Sequence, residues 1–158
     1  MRHDVGIGHI KVSSTPGDEI KTYALGSCVA VILYDKKTKI AGMIHIALPE
    51  SAVNTDKAQT LPGYFADTGL PLLLREFKKL GGDRKYTIIK IAGGSSIMDA
   101  NKTFDIGKRN GIAIKRFLWK QGLGVIKEDI GGSISRTVSV DVDTGEVFLS
   151  NAKNKWEL

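Results

Sequence analysis

Leu25-Gly26-Ser27-Cys28-Val29-Ala30-Val31-Ile32-Leu33-Tyr34 and, a few residues on, Met43-Ile44-His45-Ile46-Ala47-Leu48 are two apolar, β-prone runs separated by a polar turn. Such a pair reads as an antiparallel hairpin. Placing the turn at Asp35-Lys36-Lys37-Thr38, a common four-residue loop, pairs Tyr34 with Lys39 and sets Cys28 directly opposite His45. Opposed residues leave one face of the hairpin with Cβ atoms about 4.5–5.5 Å apart, close enough for a thiol and an imidazole to meet. A slip of one residue would send them to opposite faces. The pairing matters because a thiol with a neighbouring imidazole is what nucleophilic cysteine chemistry requires. The imidazole takes the thiol proton and later supplies one to the leaving group.

Outward from the hairpin, the chain alternates strand and helix signals. The first 25 residues hold short apolar stretches, Ile10-Lys11-Val12-Ser13 and Ile20-Lys21-Thr22-Tyr23, which predict one or two short strands. After the hairpin, Pro49 to Gly63 is polar and bracketed by prolines; it reads as a long loop beside the Cys28 region and a candidate wall for a substrate groove. Leu72, Leu73, Phe77 and Leu80 form an apolar stripe that predicts a helix over Leu70 to Leu80, with Pro71 in its first turn and Gly81-Gly82 as its stop. A strand is expected at Tyr86 to Ile91. A second helix should run from about Gly107 to Gln121, packing through Ile112, Ile114, Phe117 and Leu118. Further strands are expected at 124–130, at Ile134 to Val142 and at Glu146 to Leu149, the last two joined by an Asp143-Thr144-Gly145 turn. Strand pairs separated by two helices imply an α+β fold with mixed and antiparallel sheets.

Composition narrows the function. With 158 residues and 42% hydrophobic content, one domain over 1–158 with a proper core is expected. There is no apolar run of the roughly eighteen residues that would span a bilayer, and the start lacks a secretory signal, so a cytoplasmic protein without membrane insertion is expected. One cysteine can form neither an internal disulfide nor a cysteine-built metal site, and neither a metal nor an organic cofactor is called for. The net charge of +6 is spread along the chain. Its densest patches, Lys78-Lys79, Lys108-Arg109 and Lys115-Arg116, read as solvated faces rather than a nucleic-acid footprint.

Two motif-like strings are explained more simply. Asp143-Thr144-Gly145 lies between strands and is a hairpin turn, not an aspartic-protease signature. Gly93-Gly94-Ser95-Ser96 follows a strand but lacks the Gly-Lys-Ser/Thr ending of a phosphate loop. Of the three histidines, His45 is the preferred base; His9 ranks below it because no register links it to Cys28, and His3 has no evident partner. Thr22, six residues before the thiol, offers a hydroxyl that could orient the base. Backbone N–H groups of the Gly26-Ser27-Cys28 turn are candidates for an oxyanion hole.

The strings Thr22-Tyr23-Ala24-Leu25-Gly26-Ser27-Cys28-Val29 and Gly42-Met43-Ile44-His45 with Leu48-Pro49 resemble the signature of the CheD family, the chemoreceptor glutamine deamidases of bacterial and archaeal chemotaxis. Later strings agree in order: Gly93-Gly94 with Met98, Ile106-Gly107-Lys108-Arg109-Asn110, and Gly131-Gly132 with Arg136 and Gly145. The chain departs at Ala92-Gly93-Gly94-Ser95, where the family commonly has Phe-Gly-Gly-Ala. The resemblance implies Cys28 as nucleophile, His45 as general base and acid, Thr22 as the orienting third member, and a fold like that of cysteine-dependent deamidating toxins. It also implies methyl-accepting chemotaxis receptors as substrates and the CheC phosphatase as a partner. An alternative is that the chain serves mainly as a non-catalytic binding module stimulating CheC. The same thiol chemistry would also admit hydrolysis of a glutamyl methyl ester.

Overall fold

The computed structural model describes residues 1–97 and 104–158; Met98, part of the resemblance above, lies outside them. Among the described residues ten strands, numbered in chain order, form two five-stranded sheets. The first contains β1 (Arg2–Asp4), β3 (Glu19–Leu25), β8 (Arg136–Asp141), β9 (Val147–Ser150) and β10 (Lys155–Glu157), in that spatial order. The second has the order β2 (Ile10–Ser13), β5 (Ile40–Ile46), β4 (Val29–Asp35), β6 (Thr87–Gly93) and β7 (Lys127–Ile130). β1 with β3 and β6 with β7 run parallel, and the remaining pairs are antiparallel. The α-helices among the described residues are α1 (Thr55–Thr60), α2 (Ala66–Lys79) and α3 (Ile106–Lys120).

The layering explains why the opening hairpin is so largely apolar. Every residue of β4 and β5 is buried. Val29, Val31 and Leu33 of β4, with Ile44 and Ile46 of β5, pack against Leu70, Leu73 and Phe77 of α2 and Ile114 and Leu118 of α3. The alternate residues Ala30, Ile32, Ala41 and Met43 pack against Ile20, Leu25, Val138, Val140 and Leu149 of the other sheet. A strand covered on both faces loses the apolar–polar alternation of a half-exposed one. His45 lies on the face that looks toward the first sheet, and so meets β3.

The hairpin register differs from the expectation by two residues. Ala30 pairs with His45 and Asp35 with Ile40, so the turn is Lys36 to Lys39. Asp35 brings this about from the last strand position. Its carboxylate accepts the N–H groups of Lys37 (2.9 Å), Thr38 (3.0 Å) and Asp83 (2.8 Å), an Asx-type turn, and Lys39 takes the left-handed conformation at φ 57° to close it. Cys28 precedes the first paired residue and becomes a diagonal neighbour of His45 instead of its direct partner. An even displacement preserves the face, so the two residues still share one side of the hairpin.

Other boundaries shift for identifiable reasons. The stretch from Pro49 to Gly63 is not a structureless loop: it carries a 3₁₀ turn at Ser51–Val53 and the short helix α1, whose start is capped by the Asn54 side chain accepting from Lys57 N at 3.1 Å. α2 begins four residues earlier than the apolar stripe suggests, because Ala66 N donates to Leu48 O at 2.9 Å and so fixes its first turn, leaving Pro71 inside the helix. The start of the chain supplies three strands rather than one or two, and β10 was not anticipated.

Candidate functional site

Thr22 and His45 meet between the two sheets, and Cys28 lies one step before Val29 at the open end of the hairpin, on the face that carries His45. The Thr22 hydroxyl reaches across from β3 to His45 Nδ1 at 2.7 Å and also donates to Val5 O at 2.6 Å. A hydroxyl has one proton and a carbonyl can only accept, so the Thr22 proton goes to Val5 and its lone pair receives Nδ1–H. This fixes the tautomer. Nε2 is then the unprotonated nitrogen, and it is buried with no hydrogen-bond partner. The β5 backbone is held here as well: His45 N donates to His9 O at 3.3 Å, and Gly8 N donates to His45 O at 2.8 Å. His9 therefore contributes its carbonyl, while its side chain is exposed. His3 does have a partner, Asp18, with Nε2 to Oδ2 at 2.7 Å, remote in sequence from the hairpin.

Burial sets the protonation of both reactive groups. It lowers the His45 pKa to about 4, because the cation would lose its hydration. It raises the Cys28 pKa for the same reason, while the residue's own backbone N–H, close to the sulfur, pulls it the other way. The resting pair at neutral pH is therefore a neutral thiol and a neutral imidazole, suited to transfer of a proton from one to the other as the sulfur attacks.

The turn before Cys28 is anchored entirely by its carbonyls. Gly26 O accepts from Ser95 N (2.8 Å), Ser27 O from Asn110 Nδ2 (3.0 Å) and Cys28 O from Gly94 N (2.9 Å). Among the described residues, no oxygen accepts the N–H of Ser27 or Cys28. Two such N–H groups beside a nucleophile are able to hold a developing oxyanion. Gly93 and Gly94 make this close packing possible: both have positive φ, and a Cβ on Gly93 would sit 2.2 Å from Cys28 O. Arg136, 4% exposed, holds the same loop through Gly93 O (3.2 Å), Ser95 Oγ (2.9 Å) and Gly131 O (2.9 Å), with Asp129 as counter-ion at 3.0 Å.

A cavity of about 320 Å³ is lined by Gly26 and Ser27, the two residues before the half-buried Cys28, together with Ser95, Ser96, Ile97, Phe104, Ile106 and Gly107; Cys28 itself is not among its lining residues. No residue of Pro49 to Gly63 lines this cavity. That segment docks on the turn that borders His45: Gly63 lies against the backbone of Gly8, whose N–H donates to His45 O, and Leu61 packs beside it. No described helix is long and apolar enough to cross a membrane, and no His/Cys/Asp/Glu cluster among the described residues could hold a metal ion.

The described residues thus hold a buried, tautomerically fixed imidazole on the hairpin face that also carries a cysteine, with unpaired N–H groups at Ser27 and Cys28, the residue types that acyl transfer through a cysteine uses. Comparison with known proteins gives a definite family. The family model described as CheD chemotactic sensory transduction matches residues 47–151. Over 98% of this chain and 97% of its own length, the protein named probable chemoreceptor glutamine deamidase CheD of Syntrophotalea carbinolica is 52% identical. A second, from Syntrophus aciditrophicus and named probable chemoreceptor glutamine deamidase CheD 1, is 44% identical over 94% of this chain and 92% of its own. The solved structure of the hypothetical protein YfiH of Bacillus licheniformis aligns with a TM-score of 0.42 at 12% identity, over 84% of this chain and 59% of that one. The chain belongs to the CheD family.

Proposed function

We propose that the protein converts glutamine side chains of chemoreceptors to glutamate through a thioester on Cys28. The observation that carries the reading is the hydrogen bond from His45 Nδ1–H to Thr22, which leaves Nε2 bare on the face that Cys28 shares. The names of its near-full-length relatives supply the substrate class.

In the first half-reaction the Cys28 sulfur attacks the carboxamide carbon while His45 Nε2 takes the thiol proton. The tetrahedral oxyanion rests on the free N–H groups at Ser27 and Cys28, with Gly26 shaping the turn. His45 then delivers the proton to the departing nitrogen, which leaves as ammonia. In the second half-reaction water gives a proton to Nε2 and attacks the thioester; the sulfur leaves and recovers its proton, and glutamate remains. Thr22 keeps the imidazole in the productive tautomer throughout.

The reading extends to a cytoplasmic protein in which residues 1–158 act as one deamidase domain and CheC is a second partner, both on the strength of the family resemblance. A glutamyl methyl ester would react by the same path with methanol as the leaving group. Hydroxylamine tests the covalent route: it should intercept the thioester and leave a hydroxamate on the receptor glutamine. Continued ammonia release with no hydroxamate would replace the thioester by direct attack of water.

A further inference from the structure

Asn110 lies on α3, is fully buried, and is the link between the helix layer and the site. Its Nδ2 donates to two carbonyls at once, Ser27 O and Ala47 O, each at 3.0 Å. Only the NH2 end of an amide can do this, so the side-chain orientation is determined by its partners. The cost is visible on the other atom: Oδ1 is buried with no partner. A buried acceptor left unpaired is unfavourable, and its retention calls for an explanation.

The two carbonyls explain it. Extending the β4–β5 ladder by one step from Val29 and Ile46 places Cys28 opposite Ala47. One amide group thus ties together the open end of the hairpin, on the strand carrying the nucleophile and on the strand carrying the base. In a planar trans peptide the C=O and the following N–H point in opposite directions. Holding Ser27 O against α3 therefore turns Cys28 N–H away from the helix, and that N–H lies close to the Cys28 sulfur.

We infer that Asn110 is a positioning residue for the oxyanion hole: by holding the Ser27–Cys28 peptide plane, it aims Cys28 N–H at the oxygen of the tetrahedral intermediate. This rests on the deamidase reading given above. A purely structural role, satisfying two strand-end carbonyls, would also fit the contacts, so the test must separate the two.

Alkylation of Cys28 by iodoacetamide provides the separation, because displacement of iodide needs the thiol and its base but no oxyanion hole. Asn110→Leu fills the side-chain volume and removes the orphan acceptor; Asn110→Ala is the second variant. In the intact chain, whichever variants fold should lose roughly 10- to 100-fold in kcat for ammonia release from a chemoreceptor fragment, at or below the roughly 10²- to 10³-fold cost of removing an oxyanion donor outright. Their alkylation rates should stay within about twofold of wild type, since the nucleophile and its base are untouched. Unchanged kcat overturns the inference. So does a parallel fall in both rates, or failure of both variants to fold, either of which assigns Asn110 to the structure alone. Wild-type protein that releases no ammonia overturns the deamidase reading itself, whatever the variants do.

Discussion

Thr22 and His45 are joined by a 2.7 Å hydrogen bond in which the hydroxyl accepts, its own proton being committed to Val5 O at 2.6 Å. Residues from different sheets thereby decide which imidazole nitrogen is a base. Thr22→Val removes the acceptor at nearly constant volume and frees the ring to adopt the wrong tautomer. It should reduce kcat by about 10²- to 10⁴-fold, the range seen when a base loses its orienting group. Thr22→Ser should restore most of the activity. Equal activity in the valine and serine variants would show that the backbone, not the hydroxyl, places His45.

Acid should act on the protein through His45. With its pKa lowered from 6.5 to about 4 by burial, the imidazole remains a competent base far below the usual histidine range. The acid limb of kcat/KM should therefore lie near pH 4, and an acid limb at 6.5 would contradict this.

The same shift links folding to pH. Between 6.5 and 4 the unfolded imidazole binds a proton that the folded one refuses, so stability is complete above 6.5 and declines as pH falls toward 4. The full contribution is on the order of 3 kcal/mol. Urea denaturation at pH 7 and pH 4.5 should show the decline in wild type and a flatter profile in His45→Asn.

Gly93 has no room for a methyl group. Its φ of 118° is strained for any L side chain, and the added carbon would meet Cys28 O at 2.2 Å. Gly93→Ala should destabilise the fold by about 2 kcal/mol or more, through strain and overpacking. Because the clash falls on the nucleophile's own peptide, ammonia release should fall much further than the melting temperature suggests.

Arg136 is a buried cation serving four acceptors. Arg136→Met should destabilise by about 3 kcal/mol, the usual consequence of removing one partner from a buried charged network. Thermal melting checks the magnitude. A loss within experimental error would mean that the 93–95 loop is held by its backbone contacts alone.

Much of this site was legible in the sequence because strand periodicity is robust to small errors. The turn moved by one residue along the chain, which displaced the pairing by two and left Cys28 and His45 on a common face. The α+β layout was legible for a similar reason: helix stripes and strand runs are long compared with the errors at their ends. What escaped was long-range and backbone-mediated. Asn110 serves Ser27 and Ala47 from a helix far along the chain, and an amide inside a helical pattern gives no sign of such a task. The family resemblance passed through Asn110 without assigning it a role. The Pro49 to Gly63 segment reads as a long loop because its polar composition conceals a capped helix and a docking contact at Gly8. His3 seemed unpartnered because Asp18 reaches it through the parallel pairing of β1 and β3, which local pattern does not reveal.

The central claim is that Cys28 removes the amide nitrogen of a receptor glutamine. Mass spectrometry of a chemoreceptor fragment incubated with wild type and with Cys28→Ala tests it most directly. The account predicts a gain of about one mass unit at each modified glutamine with wild type, as hydrolysis of an amide through a thiol requires, and none with Cys28→Ala. Loss of deamidation with CheC binding intact in the variant would fit a catalytic thiol separate from the partner surface. Deamidation that persists in Cys28→Ala, or that is absent in wild type, would contradict the account.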